Sequence, residues 1–592
     1  MPNDINSPDK QTQSDQPTPQ PTPADTVPTR SGFPPWFYAV SVLGLLAMFG
    51  AVYLYGRHVE PDNPNQPSEL IVVQLNDVYR LDALRNGKRG GLARVATLLR
   101  QLKTQNPKVP VIVVHAGDFL APSLESDLFH GTQMIDALNF LDTITPLYVV
   151  PGNHEFDYSD DPNPKKNQAQ YLTDAINKSQ FRWVASNLER NNPNLLPALR
   201  DNVAEHVLQD FNKLKVGMFA LTIDNSHQGK DRSYAPISGD YVATARQQIQ
   251  QLEQSGADII FGLTHLDIGD DRELAKLRRE HPRFRWIAGG HEHSIDREPA
   301  SPANALVTKG DSNARTIWKV SVVQKGGIAD VVEESVVIDE NIKSDPGFEQ
   351  TIENIYRVKM RRERPYLDTE ISRHAGLCYN GTEEAVRNAE SNWGSFLADN
   401  MRKPYKNVSA DIGVINGGSI RIDDEFCERV TFEHLERTFA FTSPIVFVEL
   451  TAKDLKEQIL DVSAKSKTGD GSFLQVSGVS FRRERTSNGN VVADLKLQTG
   501  TKETSLDEKK SYIVAVPQFL FDCGDGYRFR EYVKRYIPPG PDLRVLAYNA
   551  LAAQAPKQTA RARIVDLPAY AKPIAQGVGQ WKTLNDTERR CQ

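Results

Sequence analysis

From Leu70 to about residue 340 the chain alternates short apolar runs with amphipathic stretches. The runs "LIVVQLND" (70–77), "VPVIVVHAGD" (109–118), "PLYVVPGNH" (146–154), "DIIFGLTH" (258–265) and "FRWIAGGHEH" (284–293) are short and end in polar clusters, which predicts strands. Between them "GGLARVATLLRQLKTQ", "TQMIDALNFLD" and "YVATARQQIQQLEQSGA" carry apolar residues at helical spacing. This alternation predicts an α/β domain with helices covering its sheets, and such sheets hold ligands at their strand ends. A basic helix over 345–365, "DPGFEQTIENIYRVKMRRERP", ends at Pro365 and serves as a connector to a second domain.

The amino terminus has a different pattern. Residues 1–35 are rich in Pro, Gln, Thr, Ser and Asp and predict a disordered tail. "WFYAVSVLGLLAMFGAVYLY", Trp36 to Tyr55, has no charge and carries aromatic residues at both ends, which predicts one uncleaved transmembrane helix. The expected organisation is a linker over 56–68, a first domain over 69–342, a connecting helix over 343–369, a second domain over 370–565 and a loosely ordered tail over 566–592.

Composition narrows the function classes. With 592 residues the chain needs more than one core. Seventy basic residues against 76 acidic ones leave a net charge of −6, so no nucleic-acid partner is expected. The four cysteines, Cys378, Cys427, Cys523 and Cys591, contain no C-x-x-C pair and make no zinc cage. One or two disulfides are compatible with their number, and Cys591 in the tail reads as a free or fraying thiol.

Five polar clusters stand at the predicted strand ends: Asp77 in "NDVY", Asp118 in "AGDF", "GNHEFD" (152–157), His265 in "LTHLD", and His291 with His293 in "GGHEH". His115, His227 and His281 read as structural histidines. Hydrolysis of a phosphate ester needs a nucleophile at neutral pH and cover for negative charge, and two divalent cations supply both. Carboxylates and imidazoles are the donors such cations take, and Asp118 is the natural bridge between them. A carboxylate three residues after His154, Asp157, can fix the imidazole's tautomer.

Together these clusters resemble those of the calcineurin-like metallophosphoesterases. The "GNHEFD" form with a long carboxy-terminal domain resembles the 5'-nucleotidase family, over roughly residues 68–565. The resemblance implies an amino-terminal sandwich of two sheets flanked by helices and a smaller α/β domain that binds substrate. It implies two divalent metal ions (Zn, Mn, Fe or Co), one held by Asp77, Asp118 and His293, the other by Asp118, Asn153, His265 and His291. His154 would face the phosphate, oriented by Asp157. In the second domain "DIGVINGGSIR", "GSFLQVSGVSF" and "VPQFLFDCGDGY" carry the likeness. By that match Arg387, Asn416, Arg421, Phe441, Phe519 and Asp525 would bind substrate, with the two phenylalanines around a base; Phe441 reads equally as core. Trp393 replaces a smaller apolar residue, which bears on substrate size. The expected partner is a small phosphate ester, a nucleotide first, with a UDP-sugar or cyclic nucleotide as the alternative ester and a non-catalytic binding protein as the rival class. The expected location is a single-pass membrane protein with its catalytic domains outside the cytoplasm.

The departure is Tyr79, where the family pattern has a histidine ligand. Three roles are open: a phenolate ligand, a wall beside a shell completed by water or Asp82, or the mark of a metal position too weak to fill.

Overall fold

The computed structural model describes residues 68–157, 168–224, 233–403, 407–487, 489–507, 509–554, 568 and 580–591. Among the described residues the first domain holds thirteen strands: β1 (Ser68–Leu75), β2 (Val111–His115), β3 (Leu147–Val149), β4 (Arg182–Val184), β5 (Val203–Ala204), β6 (His206–Phe211), β7 (Leu214–Thr222), β8 (Ile259–His265), β9 (Phe284–Gly289), β10 (Asp296–Glu298), β11 (Leu306–Lys309), β12 (Thr316–Lys325) and β13 (Ile328–Val337). They form two sheets, in the orders β13-β12-β1-β2-β3-β4-β5 and β10-β11-β9-β8-β7-β6. Strands β1 to β5 pair in parallel, as do β7, β8, β9 and β11.

Alternation along each strand explains why the central ones are apolar on both faces. In β1, Leu70 and Val72 enter a core shared with Met218, Phe261 and Trp286 of the other sheet. Ile71, Val73 and Leu75 face the opposite way, into a core with the helices Leu92–Gln105 and Thr132–Ile144. On the far side of the second sheet Phe219, Leu221 and Ile260 pack with the helices Tyr241–Gln254 and Ile268–Ala275. The result is a four-layer stack whose strands are buried on both sides, the condition that produces runs such as "LIVV".

The connecting helix runs over 346–363 with a π turn at Glu349–Glu353. The second domain adds β14 (Glu370–Asn380), β15 (Ile412–Asn416), β16 (Glu425–Thr431), β17 (Ile445–Thr451), β18 (Leu474–Ser477), β19 (Val479–Thr486), β20 (Gly489–Thr499), β21 (Lys502–Ser505), β22 (Ser511–Pro517) and β23 (Arg535–Ile537). Its central sheet has the order β18-β15-β22-β17-β23, with an apolar core on each face.

Three expectations are corrected. The expected transmembrane helix over Trp36–Tyr55, and with it the single-pass membrane protein, is not supported. That segment lies outside the described residues, and among the described residues no helix is long and apolar enough to cross a membrane. Cys591 is not a free thiol: it is bonded to Cys523, and Cys378 is bonded to Cys427 across the β14–β16 pair. Trp393 stands in the core and not at a substrate surface. It is fully buried in the second domain's core, stacked on Phe396, with its indole N–H donating to Thr438.

The two domains are fastened by ion pairs around the connecting helix. Arg361 and Arg437 both hold Glu433, and Arg437 reaches Glu125 at 2.8 Å. Burial would raise the Glu433 carboxyl, but Arg437 and Arg361 hold it down at about 2. A depressed folded value contributes stability above the usual carboxylate range, and that stability is lost as pH falls from about 4.5 toward 2. Replacing Glu433 with Gln should therefore cost on the order of 3 kcal/mol at pH 7. The gap in melting temperature between wild type and variant should narrow to less than half by about pH 3 and close only as pH falls toward 2. A gap that stayed constant with pH would show that charge is not what Glu433 contributes.

Candidate metal centre

Every proposed ligand stands just past a strand end on the same edge of the sandwich. Asp77 and Asp118 follow β1 and β2, Asn153 follows β3, His265 ends β8, and His291 and His293 follow β9. The loops meet closely: a Cβ at Gly152 would collide with Asp118, and one at Gly290 with the Ala116 carbonyl. Asp77, Asp118, His291 and His293 all have positive φ, at 52°, 59°, 88° and 60°. Left-handed backbone costs roughly 1–2 kcal/mol per non-glycine residue, and its concentration here marks a site that the fold over-determines.

Two groups of donors result, and they share Asp118. In one, Asp118 Oδ2 lies 3.2 Å from His265 Nε2, and Asn153 Oδ1 lies 3.1 Å from both His265 Nε2 and His291 Nδ1. His265 Nε2 and His291 Nδ1 are 3.3 Å apart. His265 Nδ1–H donates to the Ala116 carbonyl at 2.7 Å, which turns the Nε2 lone pair toward the group. In the other, His293 Nε2 lies 3.4 Å from Asp77 Oδ1. The Tyr79 hydroxyl joins it, 2.8 Å from His293 Nε2, 3.2 Å from Asp118 Oδ2 and 3.4 Å from Asp77 Oδ1.

These spacings fit cations. Donors about 2.0–2.1 Å from one tetrahedral ion must lie about 3.3 Å from each other. The electrostatics show the same demand for positive charge. Burial pushes the Asp77 carboxyl up to about 7. Burial alone would lower the His265 imidazole, but Asp118 beside it raises it to about 10. Burial would raise Asp118, yet His265 and His154 hold it well below the usual carboxylate range.

Around this centre stand the remaining predicted residues. His154 hydrogen-bonds Asp157 through Nδ1 and accepts from Arg421 Nη2 through Nε2 at 3.2 Å, while its backbone N–H donates to Asp118 at 2.8 Å. The Arg421 guanidinium lies 5.7 Å from the rings of both Tyr79 and Phe441, and its Nε and Nη1 are buried with no hydrogen-bond partner. Phe441 is half-buried, its ring 6.2 Å from that of His154. Asn416 donates to Asp525 at 2.6 Å, and burial pushes that carboxyl up to about 6. Phe519 is 42% exposed and lies across Gly524. Arg387 is buried against Glu383 and the Gly469 carbonyl. Asp82, one of the possible partners for the first metal position, is instead paired with Arg80. His281 pairs with Glu253, His115 is the buried last residue of β2, and His227 lies outside the described residues.

Sequence reasoning gave no role to two residues. Glu155 is fully buried and accepts from the backbone N–H groups of Asp118, Phe119, Leu120 and Gly152, so it holds the Asp118 loop from below. Its place inside "GNHEFD" was the available signal. Glu383, from the second domain, reaches His293; "GTEEAVR" carries no motif that announces it.

Residues 70–294 match the family model for calcineurin-like phosphoesterases, and residues 370–531 match that for the 5'-nucleotidase C-terminal domain. Among curated proteins, the chain is similar to the trifunctional nucleotide phosphoesterase YfkN of Bacillus subtilis, at 24% identity over 89% of this chain. The match spans 37% of that longer protein. It is also similar to the snake venom 5'-nucleotidase of Naja atra, at 23% identity over 78% of this chain and 91% of that one. Among solved structures, the 5'-nucleotidase precursor of Thermus thermophilus superposes with a TM-score of 0.67, covering 82% of this chain and 96% of that one at 20% identity, a likeness of fold. Fold and family together define a metal-dependent phosphoester hydrolase. The chain belongs to the calcineurin-like phosphoesterases that carry a 5'-nucleotidase C-terminal domain.

Glu155 should be as important to folding as to the site. Glu155→Gln keeps the shape but leaves backbone N–H groups facing an amide NH₂, which should cost roughly 3 kcal/mol. Denaturant unfolding measures this, and a wild-type midpoint would contradict it.

Proposed function

We propose that the chain hydrolyses nucleotides or related phosphate monoesters at a centre of two divalent cations. The observation that carries this is the pair of donor groups sharing Asp118. Asp77, Asp118, His293 and Tyr79 would hold one ion; Asp118, Asn153, His265 and His291 would hold the other. When bound, the ions would supply a nucleophile from water at neutral pH and neutralise charge on the phosphoryl group.

The chain's own residues do the rest. Asp157 holds the His154 ring with its Nε2 facing the centre, where it can hold or pass a proton at the leaving oxygen. The unpartnered nitrogens of Arg421 suit an anionic substrate beside the cations. Exposed Phe519 offers a flat apolar face to a base, and Asp525 with Asn416 offers polar groups for a base or sugar. The nucleotide-directed names of the relatives support this substrate class. The two disulfides support catalytic domains placed in an oxidising, extracytoplasmic compartment.

A nucleotide panel with added Mn²⁺, Zn²⁺ or Co²⁺ tests the proposal. Phosphate release from a nucleoside monophosphate is expected, abolished in Asp118→Asn and reduced at least 100-fold in His154→Ala. Phe519→Ala should raise KM about 10-fold, matching roughly 1–3 kcal/mol for stacking on one base. No turnover of any nucleotide or aryl phosphate would favour a binding protein.

For Tyr79, the close approach of its hydroxyl to Asp77, Asp118 and His293 favours the ligand role over the wall. Tyr79→Phe should lower metal content from about two ions per chain toward one. After iron(III) loading it should also abolish the visible charge-transfer band. Unchanged metal content and spectrum would return Tyr79 to a wall.

A further inference from the structure

His293 belongs to the first domain, but the group that orients it does not. Its Nδ1 is 2.7 Å from Glu383 Oε1, and Glu383 opens a short helix at the start of the second domain. Both side chains are about 5% exposed. The Glu383 carboxylate is itself held on all sides. Arg387 Nη2 donates to the same Oε1 at 3.0 Å, and Ser312 Oγ donates to Oε2 at 2.5 Å. Its backbone N–H donates to Asp423 at 3.0 Å.

The Glu383 carboxylate already accepts from Arg387 and Ser312, so its short contact with His293 places the imidazole hydrogen on Nδ1 and turns Nε2 toward Asp77 and Tyr79. A carboxylate behind a ligating imidazole fixes its tautomer, holds its ring and raises its donor strength. Here that carboxylate comes from across the domain junction. Because Arg387 shares Oε1, a group expected to meet substrate and a group expected to meet metal converge on one oxygen atom.

We propose that Glu383 is a positioning residue for the first metal position, so that docking of the second domain sets how tightly the ion held by Asp77, Asp118, His293 and Tyr79 binds. This rests on the two-cation centre proposed above. Glu383 touches neither the ions nor the phosphate; it acts through His293.

Equilibrium dialysis of the chelator-treated full chain against Mn²⁺ tests it, with Glu383→Gln as the near-isosteric variant and Glu383→Ala as the second. The control is Asp127→Asn, which removes the charge of an ion pair between the first domain and Arg364 of the connecting segment, with no contact to His293 or Glu383. Wild type should bind two ions. Each Glu383 variant should weaken one of them 10–100-fold and leave the other unchanged, while Asp127→Asn leaves both unchanged. In the Co²⁺-loaded chain, the visible spectrum of Glu383→Gln should lose the contribution of one site. Two ions bound at wild-type affinity by Glu383→Gln would overturn the proposal alone. Equal weakening of both ions in Glu383→Gln and Asp127→Asn would overturn it in favour of general loosening. A wild-type chain that binds no pair of ions would overturn the two-cation centre itself, and this proposal with it.

Discussion

One buried carboxylate organises the site. Asp118 Oδ2 lies 3.2 Å from both His265 Nε2 and the Tyr79 hydroxyl, so a single oxygen belongs to two donor groups. A negative group this deep is unfavourable unless positive charge meets it. The surrounding structure delivers it to that place and keeps it there. Glu155 gathers the backbone of its loop, His154 donates to its other oxygen, and glycines at 152 and 290 let the neighbouring loops close in. The strained backbone of Asp77, Asp118, His291 and His293 persists because two packed sheets fix both ends of every loop.

The second domain is part of this centre. Arg421 reaches His154 and Tyr79, Glu383 reaches His293, and Asp423 meets Asn313 and Arg315 of the first domain. Asn416, Phe519 and Asp525, the groups proposed to meet substrate, stand at the end of β15 and on the turns at Gln518–Phe521 and Gly524–Gly526 of that same domain. The Cys523–Cys591 disulfide ties one of these loops to the chain's end. On the proposed reading, substrate recognition and metal geometry would be set by the same docking event.

Much of this was legible in the sequence because its causes are local. Central strands buried on both faces read as apolar runs, and the polar residue ending each run lands on the same sheet edge. That is why Asp77, Asp118, Asn153, His265, His291 and His293 could be gathered from five short motifs. What was not legible depends on distant packing. Tyr79 follows Asp77 by two residues, but only the position of His293, 214 residues away, decides what its hydroxyl meets. Glu383 acts across a domain junction that no spacing encodes. Four cysteines allow three pairings, so the role of Cys591 had to come from the fold. Trp393 was misplaced because an unusual residue in a substrate-domain motif suggests a substrate contact, whereas its ring lies between Tyr379, Phe396 and Phe426.

On the proposed reading two cations share Asp118. Anomalous X-ray scattering from crystals of the chain grown with Mn²⁺ tests it most directly. Two peaks roughly 3.5–4 Å apart are predicted, one between Asp77, Tyr79 and His293, the other between Asn153, His265 and His291. A single peak, or ions bound away from Asp118, would contradict it.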